Sequence, residues 1–268
     1  MIDRTEPCVL VGIDGSAAAQ EAALWAVDEA EHRNVALRLV YVLDINDANN
    51  DQTRRLTIAQ AAVRDAAAAV ESTGRPVRVE VDILNGRPVE TLLQEAHSAI
   101  LLCVGARGLH HATRGRIGST AAALSANAPC PVAIVRTHRP HGSQQRSVVV
   151  ELSDRGATGA LLDRGLEEAQ RRNAAVRVLA SSQTTDVRQQ WERRLAELRR
   201  RFPDLDISSV VSGSDALDYL AANADQVAVM VTSRGRRGGV AALVGAPGNA
   251  ALRDSDCSIL ICGQQTAL

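Results

Sequence analysis

Residues 105–119 read Gly-Ala-Arg-Gly-Leu-His-His-Ala-Thr-Arg-Gly-Arg-Ile-Gly-Ser. They contain the spacing G-x2-G-x9-G-S, which is formed by Gly105, Gly108, Gly118 and Ser119 and is called the glycine frame below. The apolar run before this frame, at 99–104, is typical of a buried parallel strand. The alanine-rich run after it, at 120–126, predicts a helix. The chain therefore places a glycine-rich loop between a strand and the N-terminus of a helix.

A loop of this kind is suited to binding phosphate. Glycine lets the backbone approach an anion and adopt positive φ angles, while free N–H groups and the helix dipole supply donors and positive potential. The loop is not a Walker motif, because the chain has no lysine and all 30 of its basic residues are arginine. The frame thus predicts an anion site that works without lysine. The alternative is an ordinary glycine-rich surface loop.

Composition limits the class of protein. The chain has 268 residues, 46% of them hydrophobic, which is enough for two domains with separate cores. A net charge of −1 and 2% aromatic residues argue against a nucleic-acid-binding surface. No apolar run reaches the roughly 18 residues of a membrane-spanning helix, and the first six residues lack a signal-peptide pattern. The five cysteines show no metal-binding arrangement and predict small buried side chains in a reducing compartment. We therefore expect a soluble, cytoplasmic, bacterial protein with no nucleic-acid or membrane partner.

The chain contains an internal repeat. Residues 28–39 match residues 167–178 at an offset of 139, and residues 106–108 match residues 233–235 at an offset of 127. The second copy is therefore 12 residues shorter than the first, and the loss falls between residues 43 and 57. A repeat of this length indicates two similar domains joined in tandem.

Each copy alternates strands with helices. In the first copy, strands are predicted at 8–14, 36–43, 77–84, 100–105 and 132–136. Helices are predicted at 17–33, 57–72, 89–98 and 119–127, with Ser16 as the N-cap of the first. This alternation implies an α/β fold with two tandem Rossmann-like domains, at 1–140 and 145–268, each a five-stranded parallel sheet with helices on both faces. The loops after the first and fourth strands then meet at the carboxyl edge of the sheet, where ligands bind in such folds.

The chain resembles the tandem universal stress proteins of actinobacterial type. The resemblance is carried by Val-Gly-Ile-Asp-Gly-Ser at 11–16, by the glycine frame, and by Cys-Pro-Val at 130–132. It covers both copies and implies an adenine nucleotide alpha hydrolase-like fold that binds ATP, with or without Mg. By this resemblance the triphosphate is held by Gly105, Gly108, Gly118, Ser119 and Thr120. Asp14 meets the ribose or adenine side, Gly12 belongs to the same binding site, and the backbone near Val42 reads the adenine edge.

Each of three charged residues near the frame has two possible roles. Asp14 ends the first strand, where it accepts a hydrogen bond from a ribose hydroxyl or only shapes the turn before the first helix. Arg114 and Arg116 lie inside the nine-residue spacer, where they neutralise phosphate or face solvent. No catalytic group and no metal ligand is assigned. A bulky residue in place of Gly105 or Gly118 is expected to abolish ATP binding without disturbing the secondary structure.

The second copy departs from the pattern. At the offsets above, Gly105 becomes Thr232, Ser119 becomes Ala246, Asp14 becomes Ser153 and Gly12 becomes Glu151, whereas Gly108 and Gly118 persist as Gly235 and Gly245. Glu151 is expected to add negative charge near the phosphates. The second copy therefore predicts a degenerate domain with weak or no affinity for ATP, although the arginines and glycines at 235–239 leave some anion binding open.

The function expected from these features is a nucleotide-dependent regulatory module of the stress response. The alternatives are a slow ATPase or nucleotidyl-transfer enzyme of the same superfamily, and a structural interaction protein with a vestigial site. We also expect the two copies to pair within the chain through their last strands, at 132–136 and 258–262, because an apolar edge strand promotes association. A homodimer through other surfaces stays open, and the sequence identifies no protein partner.

Overall fold

The chain divides into two units, Met1–His138 and Arg139–Leu268, referred to below as the first and the second unit. The computed structural model describes residues 6–45, 51–108, 116–136, 146–152, 158–180, 185–210, 216–236, 238–253 and 255–263. None of the helices in these ranges has the length and apolar content needed to cross a membrane.

The first unit is a five-stranded parallel sheet with four helices. Its strands are β1 (Cys8–Ile13), β2 (Ala36–Asp44), β3 (Val79–Gly86), β4 (Ala99–Gly105) and β5 (Val132–Val135). Its helices are α1 (Ala17–Arg33), α2 (Gln52–Glu71), α3 (Pro88–Glu95) and α4 (Ser119–Asn127). The strand order is β3-β2-β1-β4-β5, and every pairing is parallel. Helix α1 packs against α2, and α3 packs against α4. The predicted fold class is confirmed, and the order of the strands reverses between β1 and β4, which makes their carboxyl ends the switch point.

Local signals explain the ends of the helices. Ser16 caps α1, because its hydroxyl oxygen accepts a hydrogen bond from the Ala19 N–H at 3.1 Å. Helix α2 begins five residues before its predicted start at residue 57, because Asp51 caps it by accepting a hydrogen bond from the Arg54 N–H at 2.9 Å. Helix α3 begins at Pro88, whose missing N–H costs nothing in the first turn. The cap at Asp51 was the signal that the sequence interpretation overlooked.

The second unit repeats this plan. Its strands are β6 (Ser147–Leu152), β7 (Val176–Ala180), β8 (Ile207–Val210), β9 (Val227–Ser233) and β10 (Ser258–Cys262). Its helices are α5 (Thr158–Arg172), α6 (Thr185–Arg201), α7 (Ala216–Ala222), α8 (Gly239–Val244) and α9 (Ala246–Ala251). The order β10-β9-β6-β7-β8 is again all parallel. Where the first unit has the single helix α4, the second has two short helices, α8 and α9. They are separated at Gly245, and a proline lies in the first turn of α9.

The residue that follows the first helix has the same left-handed backbone conformation in both units. Asn34 has φ 51° after α1, and Asn173 has φ 49° after α5; they are the non-glycine residues with positive φ among those described. Asparagine is one of the few residues that tolerates this left-handed conformation at a helix C-terminus. The offset of 139 between the two copies is therefore also a structural correspondence in this part of the chain.

Strand register corrects the correspondence in β9. In the first unit, Val104 lies opposite Ile134 of β5. In the second unit, Thr232 lies opposite Ile261 of β10. The shared offset of 127 equates Ile134 with Ile261, so Thr232 takes the place of Val104 and not that of Gly105, as the sequence offset predicted. The pairing of β4 with β1 and of β9 with β6 gives the same result. Both ladders contain an irregularity after their first pair, after which Val9 lies opposite Leu101 and Val148 opposite Val229. Because Val148 is the counterpart of Val9, Val229 is the counterpart of Leu101, and Thr232 is again that of Val104.

The one-residue shift means that Ser233 takes the place of Gly105. The loss of this glycine from the second copy therefore stands, although with a different replacement.

The core of both units is built from aliphatic side chains, as the scarcity of aromatic residues predicted. Four of the five cysteines are buried and Cys262 is partly exposed; burial raises the pKa of the Cys8 thiol, against the opposing effect of Arg38.

The left-handed asparagines allow a test of the repeat. Replacing Asn34 with valine should lower the free energy of unfolding of the first unit by about 1–2 kcal/mol, because a β-branched side chain is strained at positive φ. Replacing it with glycine should change this free energy by less than about 1 kcal/mol, because glycine adopts the conformation freely. Urea unfolding of the two variants measures the difference, and the same pair at Asn173 is the matched experiment in the second unit. Equal midpoints for the valine and glycine variants would contradict the assignment.

Candidate functional site

A cavity of about 320 Å³ opens at the carboxyl ends of β1 and β4 in the first unit. Its lining comes from four places: the end of β1 and start of α1, the end of β2, the start of α3, and the loop from β4 to α4. The lining residues are Gly12, Ile13, Asp14, Ser16, Ala19, Val40, Tyr41, Val42, Pro88, Leu92, Val104, Gly105, Arg107, Gly108, Gly118, Ser119, Thr120 and Ala121. A cavity of this size at a switch point suits a small-molecule ligand.

Most of the residues predicted for the nucleotide site meet in this cavity. Eight of them line it, namely Gly12, Asp14, Val42, Gly105, Gly108, Gly118, Ser119 and Thr120. Arg116 is exposed and lies outside the lining. Arg114 falls outside the described residues. Residues that are up to 108 positions apart in the sequence are thus brought to one place by the strand order.

Asp14 combines the two roles that the sequence left open. One carboxylate oxygen, Oδ1, accepts a hydrogen bond from the Ser16 N–H at 2.9 Å, which is the turn role. The other oxygen, Oδ2, faces Gly108, since a methyl group on Gly108 would lie 2.7 Å from it. The Ser16 hydroxyl donates to the Arg107 carbonyl oxygen at 3.3 Å and so links the turn to the glycine loop. Asp14 therefore lines the cavity with one oxygen while it shapes the turn with the other.

Gly105 is required by packing. A methyl group there would lie 2.6 Å from the carbonyl carbon and 2.7 Å from the oxygen of Ala18, in the first turn of α1. Gly118, the N-cap of α4, has φ −67°, and neither Gly105 nor Gly108 has a positive φ. The expectation that these glycines serve positive φ angles is therefore wrong. In this part of the fold, positive φ belongs to Gly15, at 84° between Asp14 and Ser16, and the frame glycines act by giving room.

The N-terminus of α4 faces the same cavity. Gly118, Ser119 and Thr120 all line it, and the N-cap makes no side-chain hydrogen bond that would close off the first turn. The first N–H groups of a helix have no intrahelical acceptor, and the helix dipole adds positive potential there. This end of the cavity is therefore suited to an anionic group.

Arg107 is a residue that the sequence interpretation missed. It lies between Gly105 and Gly108, within the frame itself, and it is the one basic residue among the described residues that line the cavity. It is partly buried, and no ion pair joins its guanidinium to another described residue. A partly buried arginine without an acidic partner attracts an anion to the cavity. Its position inside the frame was the available signal.

Part of the lining is an apolar wall. Pro88 and Leu92 of α3 lie there with Val40 and Val42 of β2. Helix α3 is tied to the sheet by the buried Arg38, which pairs with Asp82 at 2.6 Å and with Glu95 at 2.7 Å. Burial acts to lower the pKa of Arg38, but the hydrogen bonds and charges of these two carboxylates outweigh it and raise the pKa. The guanidinium thus stays charged and holds the wall in place.

The equivalent position in the second unit is filled. Glu151, the counterpart of Gly12, is 2% exposed. Arg236 binds its carboxylate through Nε at 2.8 Å and through Nη2 at 3.0 Å. Glu151 thus adds a carboxylate, as the sequence predicted, but its charge is paired with Arg236 inside the unit. Ser153, the counterpart of Asp14, falls outside the described residues.

Comparisons with known proteins establish the family of the chain. A model of the universal stress protein family matches residues 8–136, which span the first unit. Universal stress protein Rv2028c from Mycobacterium tuberculosis strain H37Rv is 44% identical over 270 residues, covering 97% of either chain. The chain belongs to the universal stress protein family. Rv3134c from the same strain, another universal stress protein, is 42% identical and covers 82% of this chain and 86% of its own.

Solved universal stress proteins show the same fold. One from Archaeoglobus fulgidus superposes with a TM-score of 0.74 over 96% of either chain, at 14% identity. A universal stress protein solved in complex with cAMP is 26% identical and matches 50% of this chain and 99% of its own, with a TM-score of 0.42. The first of these likenesses extends over both units of this universal stress protein.

The contact at Gly105 gives a prediction about stability. Replacing Gly105 with alanine should lower the free energy of unfolding by about 1–3 kcal/mol, because the clash is with backbone atoms and no rotamer relieves it. Replacing Gly12 with alanine is the control, because its new methyl group would meet only the Leu92 and Val104 side chains, at 3.2 and 3.3 Å. Urea unfolding followed by circular dichroism measures both. If the alanine at 105 were no more costly than the alanine at 12, the close contact with α1 would be wrong.

Proposed function

We propose that the first unit of this universal stress protein binds an adenine nucleotide, in the first place ATP, and that the chain acts as a nucleotide-dependent regulatory module of the stress response. The observation that carries the proposal is the meeting of the frame glycines, the N-terminus of α4 and Arg107 in the lining of one cavity. Free N–H groups, room for close approach and an available cation are what a phosphate group requires.

The phosphate end lies between β4 and α4. Gly105, Gly108 and Gly118 carry no side chain that would stand between the backbone and an oxyanion. Ser119 and Thr120 add hydroxyl groups in the first turn of α4, where both are exposed. Arg107 supplies the positive charge that a lysine supplies in other phosphate loops. The triphosphate of ATP is proposed to lie along this loop.

The nucleoside end lies between β2 and α3. The ladder between β1 and β2 ends at Ile13 and Tyr41, so Val42 continues β2 beyond its last partner in β1. The backbone at Val42 is proposed to hydrogen-bond an adenine edge. Pro88 and Leu92 provide an apolar surface for the base. The oxygen Oδ2 of Asp14, which lies next to Gly108, is proposed to accept a hydrogen bond from a ribose hydroxyl.

Mg²⁺ fits next to Asp14, which is the one carboxylate among the described residues that line the cavity. A carboxylate next to a polyphosphate is repulsive unless a cation or a hydroxyl group lies between them. Mg²⁺ held by one carboxylate and by substrate phosphates is a common arrangement. Any hydrolysis is proposed to be slow, because Asp14 already accepts a hydrogen bond from Ser16 and is held by its turn.

The first prediction of this proposal concerns stoichiometry. Titration calorimetry of the full chain with Mg-ATP should give about one site per chain, because the glycine frame is complete only in the first unit. Mass spectrometry of small molecules released from the freshly purified, denatured protein identifies the nucleotide that it carries. Two sites of equal affinity would contradict the asymmetry, and no binding of any adenine nucleotide would contradict the function.

The second prediction concerns Arg107. Replacing it with methionine should weaken ATP binding by about ten- to one-hundred-fold, since a charge-assisted hydrogen bond contributes about 1.5–3 kcal/mol. Adenosine, which lacks phosphate, should bind the variant and the unmodified protein equally. Arg116→Met is the matched control, because Arg116 is exposed and lies outside the cavity lining. An equal loss for the two variants would show that general surface charge, and not Arg107, attracts the nucleotide.

A further inference from the structure

The crevice of the second unit contains a buried carboxylate. Glu151 occupies the position of Gly12, and its side chain is 2% exposed while that of its partner Arg236 is fully buried at 0%. Burying a charge is unfavourable unless it is paired and hydrogen-bonded. The carboxylate must therefore be bound by groups of the second unit itself.

Three donors bind Glu151. Arg236 donates from Nε to Oε2 at 2.8 Å and from Nη2 to Oε1 at 3.0 Å, which is the two-pronged arginine–carboxylate geometry. The Thr232 hydroxyl donates to Oε2 at 2.5 Å. An arginine fork together with a hydroxyl is also the set of donors that binds a phosphate oxygen. The second unit thus presents an anion site that is already occupied by its own side chain.

Comparison of the two units places this carboxylate inside the former crevice. Gly12 and Val104 both line the cavity of the first unit. A side chain at position 12 would start next to Val104, because a methyl group there would lie 3.3 Å from Cγ1 of Val104. In the second unit Glu151 has replaced Gly12 and Thr232 has replaced Val104, and the two new side chains bind each other. The second unit therefore fills space that the first unit leaves open.

We propose that Glu151 is a built-in anion that permanently occupies the ligand crevice of the second unit, and that Arg236 is the cation of a latent site for phosphate-bearing ligands, blocked by this carboxylate. The second unit then keeps its structure without a nucleotide, and the response to ligand is confined to the first unit. The inference rests on the proposed function only for the meaning of the crevice, since its test uses inorganic phosphate.

The test removes the internal anion from the full chain. In Glu151→Gly, which restores the residue found in the first unit, Arg236 loses its carboxylate partner. Hydrogen–deuterium exchange of residues 227–236 should become faster, and millimolar inorganic phosphate should slow it at least several-fold at an ionic strength held constant with chloride. In the unmodified protein, phosphate should leave exchange in this segment unchanged. The segment belongs to the second unit, so a response of the first unit does not enter the measurement.

A double variant, Glu151→Gly with Arg236→Met, is the matched control. It lacks both charges, so phosphate should leave exchange of the 227–236 segment unchanged. If Glu151→Gly does not fold even with phosphate present, Glu151→Ala with and without Arg236→Met carries the same contrast, because alanine also removes the carboxylate and opens the crevice but lacks the backbone freedom that makes glycine unfavourable inside a strand. Equal phosphate responses with and without Arg236, or no phosphate response in either single variant, would overturn the inference.

Titration with Mg-ATP separates this inference from the proposed function. If both hold, the unmodified protein binds about one ATP, and the single variant gains phosphate-dependent protection in the second unit. A protein that binds no adenine nucleotide while Glu151→Gly still responds to phosphate would refute the proposed function and leave the latent site standing. One ATP per chain without any phosphate response in the variants would refute the latent site and leave the proposed function standing.

Discussion

The close contact between the end of β4 and the first turn of α1 determines where the site of the first unit forms. With no side chain at Gly105, backbone atoms of Ala18 come to within 2.6 Å of the place where a methyl group would be. The same turn is fixed from the other side by Ser16, which caps α1 and reaches the Arg107 carbonyl oxygen. The glycine loop is therefore held next to the start of α1, and the cavity lies between this loop, β2 and α3.

The two units show how one backbone plan leads to different site chemistry. In the first unit, the small residue Gly12 leaves space, and Arg107 has no acidic partner among the described residues. In the second unit, the arginine next to the crevice binds Glu151, and the space is closed. Since both units keep parallel sheets of the same order and left-handed asparagines at matching positions, the difference lies in a few side chains at the switch point and in the two short helices that stand in place of α4, and not in the sheet.

The strands and helices were predictable because they depend on local patterns. Helices α1 and α4 have the bounds that the sequence predicted, since a serine cap, an alanine-rich run and a proline pair mark their ends. The correspondence of Gly105 with Thr232 was wrong because strand register depends on pairing with distant strands, which a sequence offset does not contain. The role of Gly105 was also misjudged, because its close neighbour, Ala18, lies 87 positions away.

The buried charges of Glu151 and Arg236 oppose any single substitution that would open the crevice of the second unit. Removing one partner of a buried ion pair is strongly destabilising, by about 3–5 kcal/mol, whereas replacing both partners with apolar groups can be neutral. Losing Glu151 alone would leave Arg236 buried without its carboxylate, and losing Arg236 alone would leave the carboxylate with Thr232 as its only donor among those described here. A return to an open crevice therefore needs coordinated changes, or an external anion that takes the place of the carboxylate. The ion pair therefore holds the Glu151 side chain in the crevice of the second unit, whereas Gly12 leaves the same position open in the first unit.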